Sequence, residues 1–258
     1  MHDELPAVYL LAAPVGGFVS DFSVSALRIL KATRTVFVED LASSAALQQV
    51  LGRMHALDEN HRFVPLTGDE SEACAAADAL IARGESFVVL ANEGIASFMD
   101  PGLTLLQHLT TRHAGAVRLE PVGASTALDA TLLVNAVDCG RFAFAGHFPE
   151  SHDFKALKLL DWPCLFYVRS DSVSAFFAGL ATALAEVPWD HQVVLTANLR
   201  FGPGLQRRVV LAVGDNPEPV AAFLRDLPTS APDEQGGGPH RHRFTATVVR
   251  TRTRPQRQ

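Results

Sequence analysis

The sequence predicts an α/β fold in two domains: an N-terminal parallel sheet flanked by helices and a C-terminal mixed sheet with helices. Three observations predict it. Short β-branched, apolar runs alternate with helical spacings through the first half of the chain. The central run Phe87–Leu90 shows no polar alternation, which marks a strand buried on both faces, as in a parallel sheet. Small-residue loops around Gly16, Gly94 and Gly123 each follow a predicted strand. In open α/β sheets ligands bind beyond the carboxyl ends of the strands, where the backbone must come close to them.

Taken in order, Ala7–Ala12 is a first strand running into Pro14-Val15-Gly16-Gly17. Ser23 is suited to cap a helix in which Val24, Leu27 and Leu30 recur at threes. Thr35–Val38 is a second strand ending in Glu39-Asp40, and Ser43–Leu51 reads as a helix. Arg62–Leu66 is a third strand, followed by an alanine-rich helix capped by Asp69 and closed near Gly84, a residue suited to a left-handed terminus. After Phe87–Leu90, Asn92-Glu93-Gly94 forms a tight loop and Asp100-Pro101-Gly102 a helix entry, with Pro101 in the first turn. Val117–Val122 is a further strand, and the helix behind it is entered at Ser125.

The second half restarts the pattern, with the domain boundary placed between residues 137 and 138. Phe142–Gly146 and Cys164–Val168 are strands, with a turn at His147-Phe148-Pro149 and a short helix over Phe154–Leu160. Ser172–Ala185 is a helix with Phe176, Phe177, Leu180 and Leu184 on one face. Gln192–Ala197 and Arg208–Val213 pair as a hairpin across a long loop, which makes the sheet mixed. The Pro- and Gly-rich stretch 228–239 is a loop, and Phe244–Val249 alternates as a closing strand.

Composition narrows the function. Apolar residues make up 48% of 258, enough for a sizeable core. His2, Asp3 and Glu4 open the chain with no basic start before an apolar run, so no leader is expected. No run approaches the ~20 apolar residues of a membrane span. Cys74, Cys139 and Cys164 form neither a disulfide framework nor a zinc set, which points to a reducing cytoplasm. Six of the 22 basic residues are arginines in 240–258, which holds no acid; the rest of the chain has 16 basic against 28 acidic residues, a net of −12. An acidic body argues against a broad nucleic-acid groove, while the basic tail keeps phosphate contact open. The phosphate-binding patterns G-x-G-x-x-G and G-x-x-x-x-G-K-(S/T) are absent. His240-Arg241-His242 is too short for a metal centre, so no metal is expected.

The motifs together resemble the tetrapyrrole (corrin/porphyrin) methylase superfamily, and within it the ribosomal RNA small-subunit methyltransferase I branch. VYLLAAPVGGFVSDFSVSALRILKATRTVFVED (8–40) resembles that branch's opening strand, its P-(I/V)-G-N-L loop, its R-A-L-x-x-L helix and its E-D strand end. FVVLANEGIASFMDPG (87–102) is similar to S-D-A-G-T-P-x-(I/L)-S-D-P-G, and PVGAST (121–126) to P-G-P-S-A. RFAFAGHFP (141–149) and CLFYVRS (164–170) resemble R-F-x-F-x-G-F-L-P and I-F-Y-E-S. The departures remove several of the branch's polar side chains. The branch's first-loop asparagine is Gly17, its central-loop aspartate, alanine, threonine and proline are Asn92, Glu93, Ile95 and Ala96, and the threonine and arginine after Glu-Asp are Leu41 and Ala42.

The resemblance implies S-adenosyl-L-methionine in a cleft between the two domains, and a homodimer. Carried over by motif position, Pro14, Glu93, Gly94, Ile95 and Phe98 line the cofactor from the first domain, with Ser125 and Thr126 behind them. Val168, Asn198 and Leu199 contact it from the second. A hydroxyl acceptor benefits from a base, typically ~10²–10⁴-fold; the carboxylates at the relevant strand ends are Glu39 and Asp100, with Glu93 a third candidate that is unusual for the branch. Each residue also has a plain structural role open to it: Asp100 and Ser125 as helix caps, Phe98 as core, Asn198 as a turn. Three functions stay open at this point: methyl transfer to RNA, methyl transfer to a tetrapyrrole-like small molecule, and a cofactor-binding module that has lost catalysis.

Overall fold

The computed structural model describes residues 5–15, 19–98, 101–149, 154–158, 161–187, 189–197, 207–214, 216–227 and 243–253. The chain divides into two compact units, Met1–Gly140 and Arg141–Gln258.

The first unit is built on parallel strands β1 (Ala7–Ala13), β2 (Thr35–Val38), β3 (Arg62–Pro65), β4 (Phe87–Leu90) and β6 (Arg118–Val122). Their order is β3-β2-β4-β1, with β6 also paired to β1. Every residue of β2 and β4 is buried, as the unbroken apolar runs require of strands covered on both faces. A two-residue strand that the sequence did not announce, β5 (Gly94–Ile95), runs antiparallel to the end of β1, pairing Ile95 with Ala12 and Gly94 with Ala13.

Helices α1 (Val24–Ala32), α2 (Ala45–Arg53), α3 (Glu70–Ala82) and α4 (Gly102–Arg112) connect these strands, and α5 (Ala127–Val134) follows β6. Several of their ends follow the expected chemistry. The Ser23 hydroxyl accepts from the Ala26 N–H at 3.1 Å, and Asp69 accepts from the Ser71 N–H at 2.8 Å. Gly84, at φ +69°, closes α3 in the left-handed conformation. The α5 cap is one residue later than expected. Thr126, not Ser125, accepts from the Asp129 N–H at 3.1 Å, and Asp129 accepts in return from the Thr126 N–H at 3.1 Å. An acid three residues on lets Thr126 make this reciprocal pair, and that second hydrogen bond fixes the cap there. His61 is buried and bonds the Leu30 carbonyl through Nε2 at 2.9 Å, serving a carbonyl of the last turn of α1.

The second unit holds a five-stranded sheet in the order β10-β9-β11-β8-β7. Its strands are β7 (Ala143–Phe148), β8 (Cys164–Arg169), β9 (Trp189–Ala197), β10 (Arg207–Ala212) and β11 (Arg243–Thr253), with helices α6 (Val173–Leu184) and α7 (Glu218–Arg225). β7 and β8 are parallel and the other pairs antiparallel, so the sheet is mixed, and β9 with β10 forms the expected hairpin. His147 and Phe148, read as a turn, belong to β7. The short helix is a 3₁₀ segment over Phe154–Lys158.

β11 differs most from its reading. It is not a closing strand but the middle one, between β9 and β8, and it runs four residues beyond Val249. Phe244 to Val248 are all buried, the threonines included. With residues of both orientations buried, both faces of the strand are covered here, so the polar–apolar alternation in its sequence does not mark a solvent face.

Among the described residues no helix is long and apolar enough to cross a membrane. The core of the second unit gathers around Phe176, which has no exposed surface and meets the rings of Phe148, Phe154, Phe166 and Phe177 at centroid distances of 5.2–5.8 Å. Phe176→Ala is therefore expected to cost about 3–5 kcal/mol in urea unfolding. A loss under about 1 kcal/mol would show that this cluster does not hold the unit together.

Candidate functional site

The site of the first unit is built where three strands end. β2 pairs with β4 in parallel up to Val38 and Leu90, so the next residues, Glu39 and Ala91-Asn92, leave the sheet side by side. The Asn92 amide then joins the two ends. Its Nδ2 donates to Glu39 Oε2 at 2.6 Å and to Ser43 Oγ at 2.8 Å, and its Oδ1 accepts from the Ser44 hydroxyl at 2.8 Å. Both donors and the acceptor of the amide are engaged.

Ser44 shows what this arrangement costs locally. It occupies the N-cap position of α2 but makes no side-chain cap bond, and its buried hydroxyl goes to Asn92 instead. An N-cap bond contributes about 1 kcal/mol to a helix, so here capping is given up to orient an amide. Asp40 takes over part of the turn. Its carboxylate accepts from the backbone N–H groups of Ala42 at 2.9 Å and Ser43 at 2.8 Å, and from the Ser43 hydroxyl. The Ser43 hydroxyl and backbone bonds hold the Asp40 carboxyl below its ordinary value. The Glu39 carbonyl receives the Thr67 N–H and hydroxyl, each at 2.9 Å, which ties the β2 end to the residues after β3.

The loop after β4 folds back on β1 through β5. Gly94 sits at φ +70°, a region L side chains rarely adopt, and a Cβ there would meet no protein atom within 4 Å. Gly123, after β6, has φ +82°, and a Cβ would stand 3.1 Å from the Ala12 carbonyl oxygen. The loops after β4 and β6 thus both close on the last residues of β1. Gly102 opens α4 beside them: a Cβ there would collide with the Ala96 carbonyl oxygen, which makes glycine obligatory at that close approach.

The structure brings together Pro14, Glu93, Gly94, Ile95 and Phe98 on these loops. Pro14, Ile95 and Phe98 are half-buried and Glu93 is exposed. The Phe98 N–H donates to the Ile95 carbonyl at 2.9 Å and so turns the loop back. Ser125 and Thr126 follow Gly123 and are exposed. Val168 belongs to the second unit, in β8 opposite Phe244 and Phe148, with its side chain buried in that unit's core. Asp100, Asn198, Leu199, Gly16-Gly17 and three of the six tail arginines, Arg241, Arg254 and Arg257, lie outside the described residues. Within the tail, Arg250 is spoken for: it pairs with Asp161, and its guanidinium lies 3.8 Å from the centre of the Trp189 ring.

Sequence reasoning missed Ser43, Ser44 and the bridging role of Asn92, which was visible only as a departure from a family pattern. It also missed a cluster of Asp78 on α3 with His108 on α4 and His113 at that helix's C-cap, 30 and 35 positions from the aspartate. No pattern of spacing connects them. The cysteines offer no nucleophile: burial pushes the Cys139 and Cys164 thiols up to about 11.

Apolar half-buried side chains, an open glycine backbone and an exposed carboxylate at the end of β1 are groups that suit a cationic nucleoside-like ligand. No family model matches the chain. Its sequence is 25% identical over 189 residues to the ribosomal RNA small subunit methyltransferase I of Xylella fastidiosa, covering 68% of this chain and 63% of that protein. It is 29% identical over 142 residues to the protein of the same name from Pseudomonas aeruginosa, covering 55% of this chain and 47% of that protein. The chain thus spans about half to three-fifths of the length of these curated relatives. They are of the same branch that the loop motifs resemble. Among solved structures, it is similar to uroporphyrin-III C-methyltransferase from Thermus thermophilus complexed with S-adenyl homocysteine, at 18% identity and a TM-score of 0.33, over 93% of this chain and 96% of that one.

The amide bridge is open to test. Asn92→Asp replaces a donor 2.6 Å from Glu39 with a second carboxylate. Two carboxylates this close resist joint ionisation, so their folded pKa values rise above the unfolded ones. That stability loss is absent at low pH and grows as pH rises through the carboxylate range. The variant is expected to lose about 1–3 kcal/mol at pH 8 and to recover much of it near pH 5. Equal losses at both pH values in urea unfolding would contradict the bridge.

Proposed function

We propose that the chain is an S-adenosylmethionine-dependent methyltransferase of the ribosomal RNA small-subunit methyltransferase I kind, with RNA as its methyl acceptor. The observation that carries this reading is the coincidence of two things. The sequence relatives are methyltransferases of that name, and the loop segments whose motifs resemble the branch are those that meet at the end of β1.

The chain's own residues fit the cofactor. Gly94 leaves its backbone uncovered, Pro14, Ile95 and Phe98 supply apolar surface, and Glu93 supplies a charge opposite to a sulfonium. When bound, the cofactor supplies an activated methyl group whose transfer to a hydroxyl leaves a proton to be removed. In this reading the first-unit loops hold the donor, and holding donor and acceptor at attack distance is worth up to ~7–11 kcal/mol. Glu39 takes the acceptor's proton, with Asn92 fixing the carboxylate through Oε2. Asp100 is the alternative base. Asn198 and Leu199 complete the cofactor contacts from the second unit, with Val168 contributing through its backbone because its side chain is buried in the core. The enzyme acts as a cytoplasmic homodimer in this reading, and the arginines of the tail other than Arg250 attract RNA phosphate.

The experiment is transfer of a radiolabelled methyl group to small-subunit ribosomal RNA, naked and in the assembled subunit, with a tetrapyrrole as the competing acceptor. Label is expected in RNA. Glu39→Gln keeps an acceptor oxygen for Asn92 and removes the base, so it is expected to lower kcat by about 10²–10⁴-fold with cofactor affinity unchanged. Label in the tetrapyrrole, or full activity in Glu39→Gln, would overturn the acceptor or the base respectively.

A further inference from the structure

The first unit carries a second cluster that the methyl-transfer reading does not use. Asp78, on α3, receives two imidazoles from the end of α4: His108 Nε2 lies 2.7 Å and His113 Nε2 2.6 Å from the same oxygen, Asp78 Oδ1. Arg112 Nε stands 3.4 Å from the other oxygen, Oδ2. All three side chains are partly buried, with 16–29% of their surface exposed.

We propose that Asp78, His108 and His113 form a binding site for a divalent transition-metal cation of the zinc type. The set is one carboxylate and two imidazoles, a common three-ligand zinc set that leaves a fourth position to water. The three ligand atoms lie within 4.8 Å of one another. Tetrahedral zinc, with bonds near 2.0–2.1 Å, spaces its ligands by about 3.3 Å, so the hydrogen bonds of 2.7 and 2.6 Å need open by about 0.6–0.7 Å to admit the ion.

The local fold explains why these residues meet. Residues five apart on a regular helix point in different directions. His113 is not on the helix: it is the C-cap of α4, at φ −115° and ψ 25°. The backbone turns there, with the Ala116 N–H donating to the His113 carbonyl at 2.9 Å and Gly115 at φ +79°. That turn swings the second ring back beside the first, with centroids 5.9 Å apart. Arg112 holds the outer oxygen of the carboxylate, the role that outer-sphere partners play in orienting metal ligands.

The electrostatics favour an ionised carboxylate. Burial pushes Asp78 up, but hydrogen bonds from both imidazoles and the charges of His108 and Arg112 outweigh it and hold the group below its ordinary value. Cys74, one turn back on α3, is held in the thiol form by burial and by the neighbouring Asp78 and Glu70, so the oxygen and nitrogen atoms are the ligands. The ion would pin α3 to α4 at the end of α4 remote from Gly102 and the cofactor loops.

The test uses the full chain stripped with chelator and titrated with Zn²⁺. One equivalent is expected to bind at micromolar affinity or tighter, and the thermal midpoint to rise with Zn²⁺ concentration. The variant carrying His108→Gln and His113→Gln is expected to lose more than the ~100-fold that removal of an outer-sphere partner costs. If that variant does not fold, the Co²⁺ spectrum of the unaltered chain decides: nitrogen and oxygen ligation gives visible bands without thiolate charge transfer. No binding at high-micromolar Zn²⁺, unchanged affinity in the double variant, or a thiolate band would each overturn the site.

Discussion

A side-chain amide that engages both its donors and its oxygen can lock two strand ends together only if both strands stop in the same place. Asn92 does this for β2 and β4. The parallel register from Val36 and Val88 to Val38 and Leu90 sets the stopping point, and the amide converts it into a fixed relation between Glu39 and the loop that begins at Glu93. Ser44 gives up its helix cap to serve the same amide. The position of the nominated base and the path of the nominated cofactor loop therefore depend on one residue. It is also one at which the chain departs from the family pattern: an aspartate in its place would stand against Glu39.

The glycines complete the constraint. Gly94 is needed for its positive φ, Gly123 for both φ and its approach to Ala12, and Gly102 because the Ala96 carbonyl fills the space a side chain would take. These are backbone requirements. They fix the course of the loops that meet at the end of β1 whatever polar side chains those loops carry.

Much of this was legible in the sequence. The parallel sheet followed from unbroken apolar runs such as Phe87–Leu90, and Ser23, Asp69 and Gly84 announced their helix ends because capping is local chemistry. The failures share a cause as well. β11 read as a closing strand because Thr245 and Thr247 alternate with apolar residues, while the tertiary structure pairs both of its edges and buries both of its faces. The cap at Thr126 rather than Ser125 needed the reciprocal bond to Asp129. The Asn92 bridge and the Asp78, His108 and His113 cluster join residues 30 to 53 positions apart, where local patterning carries no information.

The most direct test of the proposed cofactor site is hydrogen exchange of the backbone amides with and without saturating S-adenosylhomocysteine. A ligand seated on the loops after β4 and β6 should slow exchange at residues 92–98 and 123–126 while leaving the second-unit strand β10 at its own rate. Saturable binding with no added protection on those loops would contradict the assignment of the cofactor to the end of β1.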